Sequence, residues 1–189
     1  MWHLLRAVEE HDGPLTLPTP LRESQYFASL AHTIIGQQIS TAAARTIRAR
    51  FKEAFPTITP DTIIESHTQL PALGISAQKQ RYLAALATAW PTLPTTDFSK
   101  MSNQAIIAEL TTISGIGVWS AEMFLLFTLG RTNVFSYRDL GLMQSLYHYY
   151  QYHPHYTRKI AHTVDRWHPY ESVASLTLWR ARDTKTPLV

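Results

Sequence analysis

The chain turns back on itself most tightly at Ile113-Ser114-Gly115-Ile116-Gly117-Val118. Apolar residues at helical spacing run up to this stretch from Ser102, and away from it beyond Val118. Two glycines within six residues remove Cβ bulk and give access to positive φ, so the segment predicts a hairpin between two helices. Ile116 is the apolar pin of the turn. The amides of Gly115, Gly117 and Val118 then fall at the start of the second helix. N–H groups there lack intrahelical partners and the helix dipole is positive. Such an end attracts phosphate without a charged side chain. A plain helix–helix corner fits the same two glycines about equally well.

About twenty residues further on, V-F-S-Y-R-D-L-G-L sets one carboxylate, Asp139, where another helix begins. An aspartate in that place is ordinarily a helix cap. Beside a bound phosphate it can also stabilise positive charge on a sugar and orient a water.

The remaining pattern is helical, without convincing strand alternation. Expected helices cover 23–35, 41–55, 77–90, 103–112, 118–129, 139–150, 155–167 and 170–182, with another starting at Pro60. Ser40, Thr59, Ser76 and Ser102 are the hydroxyl caps. The expectation is an all-α fold of about ten helices. The loop Asp12–Pro20 and the joint Gly130–Arg138 are the expected lobe boundaries.

Composition narrows the chemistry. None of the 189 residues is cysteine, which excludes disulfides, thiolate zinc, a cysteine nucleophile and a cysteine-ligated iron–sulfur cluster. A net charge of +3 permits nucleic-acid binding without arguing for it. No apolar run has membrane-spanning length and the first ten residues lack signal-peptide form, so a soluble, non-membrane protein is expected. The run Y-H-Y-Y-Q-Y-H-P-H-Y at 147–156 has no carboxylate at metal-ligand spacing and reads as surface histidines with packed tyrosines.

The string L-T-T-I-S-G-I-G-V-W-S-A-E-M-F-L-L-F-T-L-G-R-T-N-V-F, followed by D-L-G, resembles the helix-hairpin-helix (HhH-GPD) DNA glycosylase superfamily, and most of all its 3-methyladenine DNA glycosylase II family. I-I-G-Q-Q-I-S and L-G-I-S-A-Q-K-Q-R-Y-L before it, and R-W-H-P-Y-E-S-V-A-S-L-T-L-W after it, follow the family's order. The resemblance implies a two-lobed fold, with one lobe over 25–130 that holds the helix-hairpin-helix at about 102–129, a second that combines 1–24 with 131–189 and carries Asp139, and the active-site cleft between them. It also implies a monofunctional DNA glycosylase that flips and hydrolytically excises alkylated purines of the 3-methyladenine and 7-methylguanine type in base excision repair. By position, Asp139 matches the catalytic aspartate, and Gln38 with its neighbour Gln37 the wedge that enters the space of the flipped nucleotide. Trp119, Trp179, Met123 and Tyr137 match the base pocket. Gly115, Gly117 and Val118 match the phosphate grip, and the carbonyls of Thr111, Ile113 and Ile116 a monovalent-cation turn. No cofactor would be required, beyond structural Na+ or K+ at the hairpin. The implied partner is double-stranded DNA with damaged bases, bound by a monomer, in the cytoplasm if bacterial and the nucleus if eukaryotic. Trp119 stands where lyases of the superfamily carry a lysine nucleophile, so no Schiff base can form there. The alternatives are excision of an oxidised or deaminated base, and a non-catalytic protein that binds damaged DNA. The chain departs from the family pattern at Ser114, Ser136, Arg138 and Glu171.

Overall fold

The computed structural model describes residues 1–66 and 68–186. Among these residues the fold is all-α, with no strand. The helices are α1 (Trp2–Asp12), α2 (Tyr26–Gly36), α3 (Thr41–Ala54), α4 (Pro60–Glu65), α5 (Ala77–Ala89), α6 (Asn103–Thr111), α7 (Val118–Phe127), α8 (Leu140–Tyr150), α9 (Thr157–Asp165) and α10 (Glu171–Thr184). Helix α1 goes beyond the expected elements. It buries only Leu4 and Val8, one turn apart, and starts without a side-chain cap, so its periodic signal is weak.

Caps set the other boundaries. Ser40, Thr59, Ser76, Ser102 and Asp139 each accept a backbone N–H from the third residue beyond, at the starts of α3, α4, α5, α6 and α8. Each satisfies an amide that the first turn leaves without a partner. At the other end of α2, Lys79 Nζ donates to the carbonyl of Ile35 at 2.7 Å and Arg48 Nε to that of His32 at 3.0 Å. Cations complement the negative end of a helix. Partial burial there holds the Lys79 ammonium and the Arg48 guanidinium below their ordinary pKa values.

The chain divides into two compact units. Pro20–Phe124 forms one of them. In it α2 packs on α3 and α5, and α4 on α5. Helix α2 buries Tyr26, Phe27, Leu30, Ala31, Ile34 and Ile35, a stripe wide enough to serve both neighbours. The rings of Tyr26 and Phe98 each meet Phe124 edge-on, at 5.5 and 5.8 Å.

Met1–Thr19 together with Leu125–Val189 forms the other unit. Here α10 packs on α8 and α1 around Leu4, Val8, Leu142, Leu146, Ile160, Val164 and Leu178. Small buried residues on α10, namely Ser172, Ala174, Ser175, Thr177 and Ala181, let its neighbours approach closely. The division between units near residue 125 falls inside α7, ahead of the joint at 130–138 where the sequence suggested it. The last turn of α7 is tied to the α10 side. The Leu125 carbonyl accepts the Arg131 N–H at 3.0 Å, and the Phe127 ring stacks on Trp179.

No helix among the described residues is long and apolar enough to cross a membrane. Leu178 is fully buried in the α8–α10 core. Leu178→Ala is therefore expected to cost about 2–5 kcal/mol of unfolding free energy in urea titration, through lost transfer energy and a residual cavity.

Candidate active site

The hairpin between α6 and α7 is built from apolar anchors and one side-chain brace. Ile113 and Ile116 are both 4% exposed, and the Ile116 N–H returns to the Ile113 carbonyl at 3.0 Å. Gly115 has φ of +93°, and a Cβ there would run into the Tyr82 ring. Its glycine is thus required by the fold. Gly117 is different. It does not use the positive φ that its lack of Cβ allows, since its φ lies outside the positive region, and a Cβ would meet nothing within 4 Å. Its carbonyl accepts the Ala121 N–H at 3.0 Å, which makes it the N-cap of α7. Serine caps better than glycine at such a position, so the local fold does not explain the glycine.

Gln37 follows α2 directly. Its Nε2 donates to the Gly115 carbonyl and to Ser120 Oγ, both at 2.9 Å. The amide expected in the wedge is therefore engaged as a brace of the hairpin. The neighbouring Gln38 is exposed and holds φ of +55°, a left-handed conformation unusual for a residue with Cβ. Strain of this kind is kept where surrounding structure enforces it. The Thr111, Ile113 and Ile116 carbonyls are hard oxygen donors of the type that suits alkali cations. No cluster of three or more His, Cys, Asp or Glu able to hold a metal ion occurs among the described residues.

In the other unit Asp139 caps α8. Its Oδ1 accepts the Leu142 N–H at 2.7 Å and the Trp179 Nε1–H at 3.1 Å. Two N–H donors from different helices fix the carboxylate's orientation. The Trp179 ring stacks on Phe127 with centroids 5.9 Å apart and planes at 23°. Phe127 keeps 44% of its surface exposed.

The segment leading to Asp139 is fastened by α10. The Ser172 hydroxyl donates to the Arg131 carbonyl at 2.6 Å and accepts the Val134 N–H at 3.1 Å. The Ser172 N–H reaches the Thr132 carbonyl at 2.8 Å, and Ser175 Oγ donates to that of Val134 at 3.0 Å. Both serines are fully buried.

The other expected site residues are placed as follows. Trp119 and Val118 are half-buried in the first turn of α7. Met123 is 7% exposed and largely a core residue, with little surface left to line a pocket. Tyr137 is 48% exposed and meets Phe135 edge-on at 5.0 Å. Partial burial and the carboxylates of Asp165 and Glu171 push its phenol upward in pKa. Glu171 opens α10, with Oε1 2.9 Å from His168 Nδ1. Ser172, Ser175 and Phe127 escaped the sequence reading. Serines at i and i+3 on a buried helix face were the available signal for the first two.

Comparisons with known proteins point to one family. The family model for HhH-GPD superfamily base excision DNA repair protein matches residues 31–169. The Bacillus subtilis protein YfjP is 31% identical over 186 residues, covering 92% of this chain and 63% of its own length. The DNA-3-methyladenine glycosylase of Saccharomyces cerevisiae is 31% identical over 202 residues, covering 85% of this chain and 68% of its own. The chain thus spans roughly two thirds of these relatives' lengths. The solved structure of Schizosaccharomyces pombe 3-methyladenine DNA glycosylase Mag1 in complex with abasic DNA superposes with a TM-score of 0.81 at 26% identity. That match covers 95% of this chain and 91% of the Mag1 chain.

The two hairpin glycines separate in their expected stability effects. Gly115→Ala is expected to lose about 2–4 kcal/mol, from left-handed strain and overlap with Tyr82. Gly117→Ser is expected to hold or raise the thermal midpoint, since it adds a capping hydroxyl in open space. Parallel melting curves check both.

Proposed function

This chain belongs to the HhH-GPD superfamily of base excision DNA repair proteins, and on that premise we propose that it is a monofunctional DNA glycosylase that excises alkylated purines. The observation that carries the reading is Asp139, a carboxylate held by N–H donors of α8 and α10, at the position that the sequence resemblance assigns to the superfamily's catalytic aspartate. Relatives named as 3-methyladenine glycosylases support the substrate class.

The substrate is double-stranded DNA with a damaged base. Flipping the nucleotide from the stack costs a few kcal/mol, least for a lesion. Gln38, exposed and already left-handed, enters the space left behind. The amides at Gly117 and Val118 take a backbone phosphate, and the absent Cβ of Gly117 lets that phosphate come close. Gln37 keeps the Gly115 carbonyl and Ser120 in register beneath it. The Thr111, Ile113 and Ile116 carbonyls would hold Na+ or K+, which supplies a positive charge beside the phosphate.

As the N-glycosidic bond breaks, its electron pair moves to the base and positive charge builds on the sugar. Asp139 stabilises that charge and orients the water that adds at C1′, accepting its proton. The products are a free base and an abasic sugar. A cationic 3-methyl- or 7-methylpurine leaves as a neutral base, so no strong general acid is needed. An indole face, such as that of Trp119, is electron-rich and attracts such a cation, worth about 0.5–2 kcal/mol per contact; Trp179 instead holds the Asp139 carboxylate through its N–H. With tryptophan at 119 in place of a lyase lysine, the reaction stops at hydrolysis without strand cleavage.

Asp139→Asn tests the reading. Asparagine caps a helix as well as aspartate, so folding and DNA binding are expected to persist while release of 3-methyladenine or 7-methylguanine from methylated DNA falls by at least about 100-fold. Release at the wild-type rate would refute the assignment. Gly117→Ser is expected to weaken duplex binding by about tenfold, measured by fluorescence anisotropy, because its side chain intrudes on the phosphate.

A further inference from the structure

The two helices that hold Asp139 also enclose a cavity, within one compact unit. Gln144, His148 and Tyr149 of α8 line one side, and Arg182 and Lys185 face them from the end of α10. The volume is about 310 Å³. Among the described residues, no carboxylate lines it. Arg182 links this cavity to the start of α8. It stands one turn beyond Trp179, on the same side of α10. Where Trp179 meets Asp139, Arg182 meets Gly141. Its guanidinium lies against the bare Cα of Gly141, in the space that a Cβ would fill. Gly141 follows Asp139 by two residues, less than one turn of helix.

The other edge of the guanidinium is shared with Asp183. Nε and Nη2 donate to Asp183 Oδ1 at 3.2 and 3.0 Å. Both partners are open to solvent, at 45% and 67% exposure, and such a pair yields readily to a stronger anion. Lys185 adds a second cation. Its φ of +54° is the left-handed conformation that glycine usually provides after a helix. Tyr149 pins this turn, its hydroxyl 2.8 Å from both the Ala181 and the Thr186 carbonyls. A lysine in that conformation accepts local strain, and its side chain lines the cavity. Neither Lys185 nor His148 forms an ion pair among the described residues.

We propose that Arg182 and Lys185 seat a backbone phosphate of the strand that carries the damaged base, close to the reacting nucleotide, a placement that rests on the excision reading of Asp139. Each sugar within a strand has a phosphate on either side, so a sugar brought to Asp139 brings an anion to the start of α8. The guanidinium matches phosphate geometry, the ammonium adds a point charge, and the Gln144 amide is a neutral donor beside them. Such a contact carries no sequence information and fixes the register of the strand.

Anisotropy titration of the full chain with a duplex that carries a tetrahydrofuran abasic-site analogue tests the contact without requiring base release. Arg182→Ala and Lys185→Ala are each expected to weaken binding by at least about threefold at low salt, and to lower the slope of log K against log[KCl] by about 0.9, as loss of one phosphate contact requires. Arg182→Lys is expected to keep the slope. If Arg182 serves packing alone, its removal lowers the thermal midpoint and leaves the slope unchanged, and that result overturns the proposal. Neutral methylphosphonate linkages, placed singly at the phosphates beside the abasic sugar, locate the contact. At one position the wild type is expected to lose affinity while Arg182→Ala does not. Equal losses in both proteins at every position overturn the proposal. Calorimetry with inorganic phosphate separates the sources. Phosphate that binds the wild type but not Arg182→Ala, with duplex slopes unchanged, makes the cavity a site for free phosphate and likewise overturns it. Failure of the excision reading shows differently, as a wild type that releases no base from methylated DNA.

Discussion

Two buried hydroxyls, those of Ser172 and Ser175, hold the segment on which the candidate chemistry depends. Residues 131–139 form no helix or strand, so their backbone groups need partners from elsewhere. The first turns of α10 supply them, with Ser172 satisfying the Arg131 carbonyl and the Val134 N–H together. That fixes where the chain enters α8, and therefore where Asp139 stands as its cap. Trp179, two turns along the same α10, then donates to Asp139 directly. One helix thus both positions the segment and holds the carboxylate at its end.

The Pro20–Phe124 unit follows the same logic with different groups. Its hairpin is fixed by two buried isoleucines, by Tyr82 against Gly115, and by the Gln37 amide. The loop that presents Gln38 is set by Lys79 and Arg48 at the end of α2. Each element offered for DNA contact is backed by a side chain whose hydrogen bonds are spent inside the protein. The exposed residue, Gln38, is thereby left in a conformation it would not choose alone.

Much of this was legible in the sequence because it rests on local chemistry. Hydroxyl and carboxylate caps at Ser40, Thr59, Ser76, Ser102 and Asp139 act over three residues, and the structure uses all five. The hairpin was visible in its glycines, although only Gly115 needs the conformational freedom credited to both. The long-range pairings were not legible. Gln37 reads as part of the wedge until its partners 78 and 83 residues away are known. Ser172 and Ser175 read as ordinary small residues until residues 131–134 come to lie beside them. Phe127 reads as core, yet nearly half of it stays exposed against Trp179. Helix α1 was missed because two buried residues make too faint a stripe.

The bonds between α10 and residues 131–134 join only uncharged groups, and both serines are sealed from solvent. Counterions screen exposed charges over about 8–10 Å at ordinary ionic strength, but they leave hydroxyl-to-carbonyl contacts in a dry interior nearly untouched. Attraction to a phosphate backbone has the opposite character, weakening steeply as salt rises. The architecture therefore separates the two by sensitivity to the medium. On the proposed reading, ionic strength sets how long the protein stays on DNA while the geometry around its carboxylate remains constant.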